Sequence, residues 1–322
     1  MQAAIAAAAA VALVSTMLGS AWSAQTYPSR PIRLVAPFPP GGGTDILSRI
    51  IAVPVSEAYG QTVIVDNRPG AGGAFGADIV ARAEPDGHTL ILVSASYAAT
   101  GAYRRMAFDP ITGIQPIILI GTTGLALSVH PAVSAMNTAE LIALAKSRPG
   151  RLNYASVGPG SAVHLALELF KLTTKVDFVH VPYKGGGPAL NALVAGEVQL
   201  SATSMVPTIP HAKAGRVRIL AITTPERSTA LPGVATIAET VPGYEVTHWY
   251  GMWFPKGVRR NIVMRWNREV AKVLATDEMK SRTRGEGLEL AGGPPEEFGA
   301  VVKRDIEKWR RVMKEAGIKP QE

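Results

Sequence analysis

Three glycine-rich turns carry the residues best suited to chemistry in this chain, and that chemistry is anion binding. The turns are PFPPGGGTD at residues 37–45, VGPGSAVHL at 157–165 and PYKGGGPAL at 182–190. Each follows an apolar, strand-like run and precedes a helical pattern, so it joins the end of a strand to the start of a helix. Backbone N–H groups and the helix dipole favour a negatively charged ligand there.

A serine and a histidine in the second turn come nearest to a catalytic pattern. Ser161 and His164 stand three residues apart, which places them on the same face of a helix. A nucleophilic serine also needs a carboxylate that orients the histidine and an oxyanion hole, and the sequence suggests neither. A secreted Ser/His hydrolase is therefore the rival hypothesis, and a binding protein without catalysis is the leading one.

The other glycine and histidine residues give no pattern for a cofactor or a metal. The segment DNRPGAGG at residues 66–73 departs from the dinucleotide-binding fingerprint because Phe75 occupies the last glycine position, and no glycine run ends in Lys followed by Ser or Thr. The histidines stand singly and the chain has no cysteine. Thiol catalysis is excluded, and we expect no cofactor and no metal ion.

The net charge of +8 is spread along the chain rather than gathered in a patch suited to nucleic acid. Basic residues alternate with acidic ones, as in RDIEK at residues 304–308. The 322 residues, 47% of them hydrophobic, are enough to build a large core without disulfides. We expect a globular monomer that does not bind nucleic acid and whose basic surface attracts small anions.

The first residues have the composition of a secretory signal peptide. Residues 3–18 are almost all Ala, Val, Leu, Ile or Met, and the following six residues, GSAWSA, are small except for Trp22. This run is shorter than the roughly 20 residues that span a membrane. Residues 1–23 are assigned to the leader, with cleavage after Ser23 and with Ala24 and Ala21 as alternatives. The mature chain is expected in the periplasm.

Short apolar runs alternate with helical patterns, which predicts an α/β fold with mostly parallel strands. The expected strands include 62–66, 89–93, 151–155, 177–181 and 218–223, and the expected helices include 46–59, 162–173 and 295–316. Two more strands, 117–120 and 125–129, are predicted on either side of the Gly-Thr-Thr-Gly segment at 121–124. The chain is expected to cross between two domains at that segment.

Seven motifs, taken in order, resemble one family. They are YPSRPI at 27–32, PFPPGGGTD at 37–45, DNRPGAGG at 66–73, PDGHTL at 85–90, LNYAS at 152–156, VHVPYKG at 179–185 and LPGV at 231–234. They span the mature chain, which resembles the periplasmic solute-binding receptors of tripartite tricarboxylate transporters, the Bug receptor family. The resemblance implies a type II periplasmic-binding-protein fold, in which two α/β domains joined by two crossing segments close over a ligand.

The break at residues 121–124 and the return of the chain at 244–254 predict the domain bounds, and the family resemblance implies the ligand and the partner. Domain 1 is expected to comprise residues 24–122 plus 248–322, and domain 2 residues 123–247. The family's ligands are small carboxylates, which backbone N–H groups, hydroxyls and ordered waters hold in a site with few charged side chains. Membrane subunits of the transporter are the expected partners. A receptor that feeds a signalling sensor is the alternative.

The residues expected to bind the ligand lie in or beside the turns that follow strands. They are Phe38, Gly42, Gly43, Thr44, Ser94, Ser96, Ser156, Gly158, Ser161, His164, Tyr183, Lys184, Gly185, Gly186, Thr203 and Ser204. Tyr97, Trp249 and Tyr250 are further candidates for the pocket wall. Family members commonly carry an acid where this chain has Thr203, so a ligand ammonium group would lack a counter-ion. We therefore expect a simple carboxylate rather than an amino acid.

Overall fold

The described strands form one mixed sheet. The computed structural model describes residues 27–315 and 317–321, so the predicted leader lies outside the described residues. The strands are β1 (Ile32–Ala36), β2 (Val63–Asn67), β3 (Thr89–Ser94), β4 (Ile114–Val129), β5 (Leu152–Ser156), β6 (Phe178–Pro182), β7 (Leu200–Ser204), β8 (Arg218–Ile222), β9 (Thr247–Pro255) and β10 (Leu288–Gly292). Their order is β2-β1-β3-β9-β4-β7-β5-β6, and β8 and β10 each pair with β4.

Helices connect most of these strands, which confirms the α/β fold. They are α1 (Gly43–Tyr59), α2 (Ala74–Ala81), α3 (Ser96–Tyr103), α4 (Thr138–Ser147), α5 (Ala162–Thr174), α6 (Gly186–Val194), α7 (Met205–Lys213), α8 (Arg260–Ala275), α9 (Asp277–Gly285) and α10 (Pro295–Glu315). Among the described residues, no helix combines the length and the apolar character needed to cross a membrane.

The sheet has two halves, each built around a parallel β-α-β unit. In the first half, β1 lies between β2 and β3 and runs parallel to both, and β9 is antiparallel to β3. In the second half, β5 lies between β6 and β7 and runs parallel to both. The carboxyl ends of the parallel strands in each half lead into the glycine turns, which is where open α/β sheets bind ligands.

Strand β4 belongs to both halves of the sheet. Residues 114–124 pair with β9, and residues 125–129 pair with β7 and β8. The prediction of two strands broken at residues 121–124 was therefore wrong, because β4 is a single 16-residue strand. The glycine at position 121 permits close packing, since a Cβ there would overlap the carbonyl oxygen of Glu289 on β10.

Candidate functional site

The first and third glycine turns touch each other through their backbones. A Cβ atom added to Gly187 would lie only 2.7 Å from the carbonyl oxygen of Pro40, so no larger residue fits there without movement. A Cβ on Gly42 would lie at an ordinary 3.7 Å from the amide nitrogen of Gly187. These contacts join the turn after β1 in one half of the sheet to the turn after β6 in the other. The glycines therefore allow the two halves to close on each other.

A small cavity lies where these turns touch. Residues of both sheet halves line it: Phe38, Gly42, Gly43, Thr44, Ser94, Ser96, Val157, Val163, Gly186, Thr203, Ser204, Pro207, His248 and Tyr250. The predicted residues in this wall come from the first turn, from the end of β3, from the third turn and from the end of β7. The structure thus brings together predicted residues that are up to 166 positions apart in the sequence, as Phe38 and Ser204 show.

Several helices start at the wall of this cavity. Gly43 begins α1, Ser96 begins α3 and Gly186 begins α6, while Ser204 is the N-cap of α7. The first N–H groups of a helix have no partner within the helix, and the helix dipole places positive charge at this end. Among the described residues that line the cavity, none is Lys, Arg, Asp or Glu. The cavity therefore favours an anion through backbone groups rather than through a charged side chain.

An acidic residue next to the cavity is engaged elsewhere. The carboxylate of Asp45 accepts hydrogen bonds from Arg49, from the side chain of Asn67 and from the backbone N–H of Gly41. Burial raises the pKa of Asp45, but these hydrogen bonds outweigh burial and the net pKa is lowered. The ionised carboxylate fixes the first turn and the start of α1, so the turn is held in shape before any ligand arrives.

Thr44 offers a free hydroxyl at the same helix start. Its Oγ1 atom is buried and has no hydrogen-bond partner within the described structure. A buried hydroxyl without a partner is costly, and a ligand oxygen would remove that cost. Thr44 is therefore the strongest side-chain candidate for contact with a bound anion.

Internal hydrogen bonds hold the polar residues of the second turn, whereas its Val157 and Val163 line the cavity. Ser161 is the N-cap of α5: its Oγ accepts a hydrogen bond from the backbone N–H of His164 and donates one to the carbonyl of Gly158 at 2.6 Å. The Nδ1 atom of His164 accepts a hydrogen bond from the N–H of Gly160. Ser161, His164 and Gly158 are not part of the cavity wall. Their predicted ligand contact stays a prediction.

A different Ser-His pair lies beside this turn. The Oγ of Ser156 and the Nε2 of His180 are 2.6 Å apart, and the His180 ring stacks on His164 with centroids 4.3 Å apart. Burial, followed by the charge of His164, lowers the pKa of His180 to about 4. The nearby Glu168 accepts hydrogen bonds from Tyr154 and Lys171. Ser156 does not line the cavity, so its ligand-binding role also stays a prediction.

The other predicted residues of the third turn lie outside the cavity wall. The Tyr183 hydroxyl donates a hydrogen bond to Glu197 at 3.4 Å, and Lys184 is exposed. Gly185 has a φ of +154°, and a Cβ there would lie 2.6 Å from Cδ of Pro39 in the first turn. Gly185 therefore serves the contact between the turns, and ligand contact by all three residues stays untested.

Two important wall residues come from β9. The Tyr250 hydroxyl donates a hydrogen bond to Oγ of Ser204 at 2.8 Å, and a Cβ on Gly43 would overlap that hydroxyl. The His248 ring packs edge-on against the Tyr250 ring, with centroids 5.1 Å apart. His248 is absent from the sequence-based set of site residues. The alternation of side chains along a strand places residues 248 and 250 on one face, so a wall position for Tyr250 also implies one for His248.

The other two aromatic candidates do not reach the cavity. Trp249 faces the opposite side of β9, where its Nε1–H donates a hydrogen bond to Asp305 at 2.9 Å and its ring packs on Phe298. The hydroxyl of Tyr97 donates a hydrogen bond to the carbonyl of Pro110. The described residues also contain no group of three or more His, Cys, Asp or Glu arranged to hold a metal ion.

Solved structures of similar sequence have the same fold. The structure of R. palustris Rpa4515 with adipate is 40% identical and has a TM-score of 0.88, with 92% of this chain and all of that chain covered. Periplasmic binding protein BugD is 31% identical, with the same TM-score and coverage. MatC from Rhodopseudomonas palustris with bound malate is 31% identical with a TM-score of 0.85, covering 89% of this chain and 99% of that one. The predicted periplasmic-binding-protein fold is confirmed.

Sequence relatives agree with this result. A protein from the tcbD-tcbE intergenic region of Pseudomonas sp. (strain P51) is 38% identical over 292 residues, which are 90% of this chain and 87% of the relative. BugT of Bordetella pertussis is 35% identical over 301 residues, which are 92% of each chain. A family model for the tripartite tricarboxylate transporter family receptor matches residues 47–318. The chain therefore belongs to the tripartite tricarboxylate transporter receptor family of periplasmic solute-binding proteins.

Proposed function

We propose that this protein captures a small carboxylate in the periplasm and delivers it to the membrane subunits of a tripartite tricarboxylate-type transporter. The observation that carries the proposal is the cavity wall, where several helices start and the described lining residues include no Lys, Arg, Asp or Glu. The adipate in Rpa4515 and the malate in MatC support a carboxylate as the ligand class.

In this proposal one carboxylate of the ligand lies at the start of α1. The backbone N–H groups of Gly43 and Thr44 and the unpartnered hydroxyl of Thr44 are the donors. Gly42 from the first turn and Gly186 from the third turn close over the ligand, since their backbones already touch in this structure. The closure excludes water, which strengthens each hydrogen bond to the anion.

The opposite wall favours an acid without an ammonium group. Oγ1 of Thr203 lies 2.9 Å from Oγ1 of Thr208, and Oγ of Ser204 accepts the hydrogen bond from Tyr250. The described lining residues include no Asp or Glu whose carboxylate could pair with an ammonium group of the ligand. A buried ammonium without a partner costs several kcal/mol, so succinate should bind better than aspartate.

The domain division is part of the proposal. Residues 24–122 with 248–322 form one domain and residues 123–247 form the other, with the chain crossing at β4 and at the start of β9. The strand pairing supports this division, because β4 changes partners from β9 to β7 and β8 between residues 124 and 125. The ligand then lies between the domains.

Catalysis is not part of the proposal. The Ser161 hydroxyl caps helix α5 and donates a hydrogen bond to the carbonyl of Gly158. The side chain of His164 accepts a hydrogen bond from the backbone N–H of Gly160. Neither side chain is in position to activate the other. An ester panel should show no turnover that depends on Ser161. Turnover that disappears in Ser161→Ala would favour the hydrolase instead.

Export to the periplasm is proposed from residues 1–23, which lie outside the described residues. N-terminal sequencing of the protein recovered from the periplasm should begin at Ala24. A mature protein that begins at Met1 would contradict export by this leader.

A thermal-shift panel tests the ligand class. Adipate, malate, succinate, aspartate and benzoate should be compared with the neutral compounds 1,6-hexanediol and adipamide. A ligand that binds only the native state raises the melting temperature with its concentration. We expect at least one carboxylate to do so and both neutral compounds to have no effect. Stabilisation by the neutral compounds alone, or by none of the acids, would contradict carboxylate capture.

A further inference from the structure

His248 is a buried histidine in the cavity wall that the hydrogen bonding of the fold does not use. The side chain is 4% exposed, and its Nδ1 atom has no hydrogen-bond partner within the described structure. It lies at the start of β9, where it pairs with Thr123 of β4. These are the two strands that cross between the halves of the sheet. A ligand contact at His248 therefore falls where the two halves meet.

The Tyr250 side chain separates His248 from the start of α1. The Tyr250 hydroxyl lies against Gly43, and its ring lies edge-on to the His248 ring at 5.1 Å. The cavity thus has one anion-binding end at the N–H groups of residues 43 and 44 and a second polar end at the imidazole. The two ends offer partners for two acidic groups, whereas a monocarboxylate would use only one of them.

Few charged groups surround the imidazole. The neighbouring strands β3 and β4 carry no titratable side chain, and on β9 the titratable neighbour is Tyr250, whose pKa is raised by burial and, more weakly, by the charge of Glu286. On α2, Asp78 pairs with Arg82. Asp305 of α10 contacts Trp249 on the other face of β9.

We propose that His248 meets the second carboxylate of a dicarboxylate ligand and takes up one proton from solvent as that ligand binds. The proposal rests on the proposed function, because it concerns the same cavity. The proton adds to a ring nitrogen, the carboxylate stays ionised, and the pair forms a charge-assisted hydrogen bond. The imidazole thereby supplies the positive charge that the rest of the described wall lacks.

The direction of the pH effect follows from burial. Burial lowers the pKa of His248 to about 3, so the ring is neutral in the free protein near neutral pH. A carboxylate in contact with the ring favours the charged form and raises this pKa. Binding then consumes a proton, and affinity for a dicarboxylate rises as the pH falls from the pKa of the complex towards the lower pKa of the free protein. A monocarboxylate held at the start of α1 shows no such dependence.

Titration calorimetry of the mature protein measures the proton directly. Adipate and malate are titrated near neutral pH in HEPES and in Tris, whose ionisation heats differ, and the difference in apparent enthalpy gives the number of protons taken up. Hexanoate, which has the chain length of adipate and a single carboxylate, is the matched ligand. We expect uptake of a substantial fraction of a proton with a dicarboxylate and none with hexanoate. Dicarboxylate affinity should rise severalfold between about pH 8 and about pH 6, at most about tenfold per pH unit.

Two variants localise the effect. His248→Gln should lose the proton uptake and the pH dependence, and His211→Gln should keep both, because His211 is a half-buried histidine that does not line the cavity. If a dicarboxylate binds the wild-type protein without proton uptake, or if His248→Gln retains the uptake, the inference fails and carboxylate capture survives. If no acid binds, both fail. The wild-type measurement decides the question even if His248→Gln does not fold.

Discussion

The hydroxyl of Tyr250 donates a hydrogen bond to Oγ of Ser204 at 2.8 Å, and this bond links the two halves of the sheet at the wall of the cavity. Tyr250 belongs to β9 in the first half of the sheet, and Ser204 is the N-cap of α7 in the second half. Both side chains line the cavity. The bond therefore stabilises the closed arrangement and shapes the pocket at the same time.

Tyr250→Phe should weaken ligand binding. The ring stays, but the loss of one buried hydrogen bond costs about 0.5–1.5 kcal/mol, which corresponds to a two- to tenfold loss in affinity. Titration calorimetry with the acid that binds best measures it. Tyr97→Phe is the control, because it removes a buried hydrogen bond to Pro110 away from the cavity. Equal affinity in wild-type protein and Tyr250→Phe would show that the bond does not contribute to closure.

Gly187→Ala should prevent full closure. The added Cβ would lie 2.7 Å from the carbonyl oxygen of Pro40. No side-chain rotation relieves this contact, because the Cβ is fixed to Cα and the oxygen belongs to the backbone. We expect at least about a tenfold loss in affinity, or about 1.4 kcal/mol, with little change in the melting temperature of the ligand-free protein. Gly233→Ala is the control, because no atom lies within 4 Å of its added Cβ. Unchanged binding by Gly187→Ala would mean that the turns need not touch when ligand is bound.

Thr203→Asp should weaken the binding of simple carboxylates. The new negative charge would face the anion across a dry cavity and cost several kcal/mol if it stayed ionised. Thr203→Asn has almost the same shape without the charge and should lose much less affinity. Calorimetry with succinate and aspartate measures both variants. Tighter binding of succinate to Thr203→Asp than to Thr203→Asn would contradict an anion next to this wall.

The ligand-free protein should lose stability as the pH falls from about 6.5 to about 4. Burial, followed by the charge of His164, lowers the pKa of His180 from 6.5 to about 4 in the folded protein, so the unfolded chain binds more protons in this interval. Urea unfolding at several pH values measures the slope. His180→Asn should show a shallower fall than wild type. The same slope in both proteins would place the acid sensitivity in other groups.

Sequence reasoning identified the fold class and the glycine turns, because both rest on local patterns. The strand–turn–helix units at residues 32–59 and 178–194 follow from apolar runs that end in Pro and Gly. Helix α3 was missed because Ser96 to Ala102 are all buried, so the segment has no polar face to reveal a helical period. Strand β4 was divided because Gly121 was interpreted as a turn residue, while its real role depends on the distant Glu289.

The composition of the cavity wall was predicted in part, for a related physical reason. Gly42, Thr44 and Gly186 stand at helix starts, which the sequence reveals, and they line the cavity. Whether a hydroxyl faces the ligand or caps a helix depends on rotamer and tertiary contact, as Ser161 illustrates. The place of His248 depends on which face of β9 meets the cavity, and no local pattern determines that face.

Calorimetric titration of the purified mature protein with adipate, malate and succinate, each beside its neutral diamide, tests carboxylate capture most directly. The diamides keep the length and shape of the acids and remove the negative charge that the helix starts should bind. We predict saturable one-site binding by at least one acid, no measurable binding by its diamide, and loss of acid binding in Gly42→Val, whose side chain would fill the wall at the first turn. Binding of a diamide as tight as that of its acid, or no heat from any of the acids, would contradict the account.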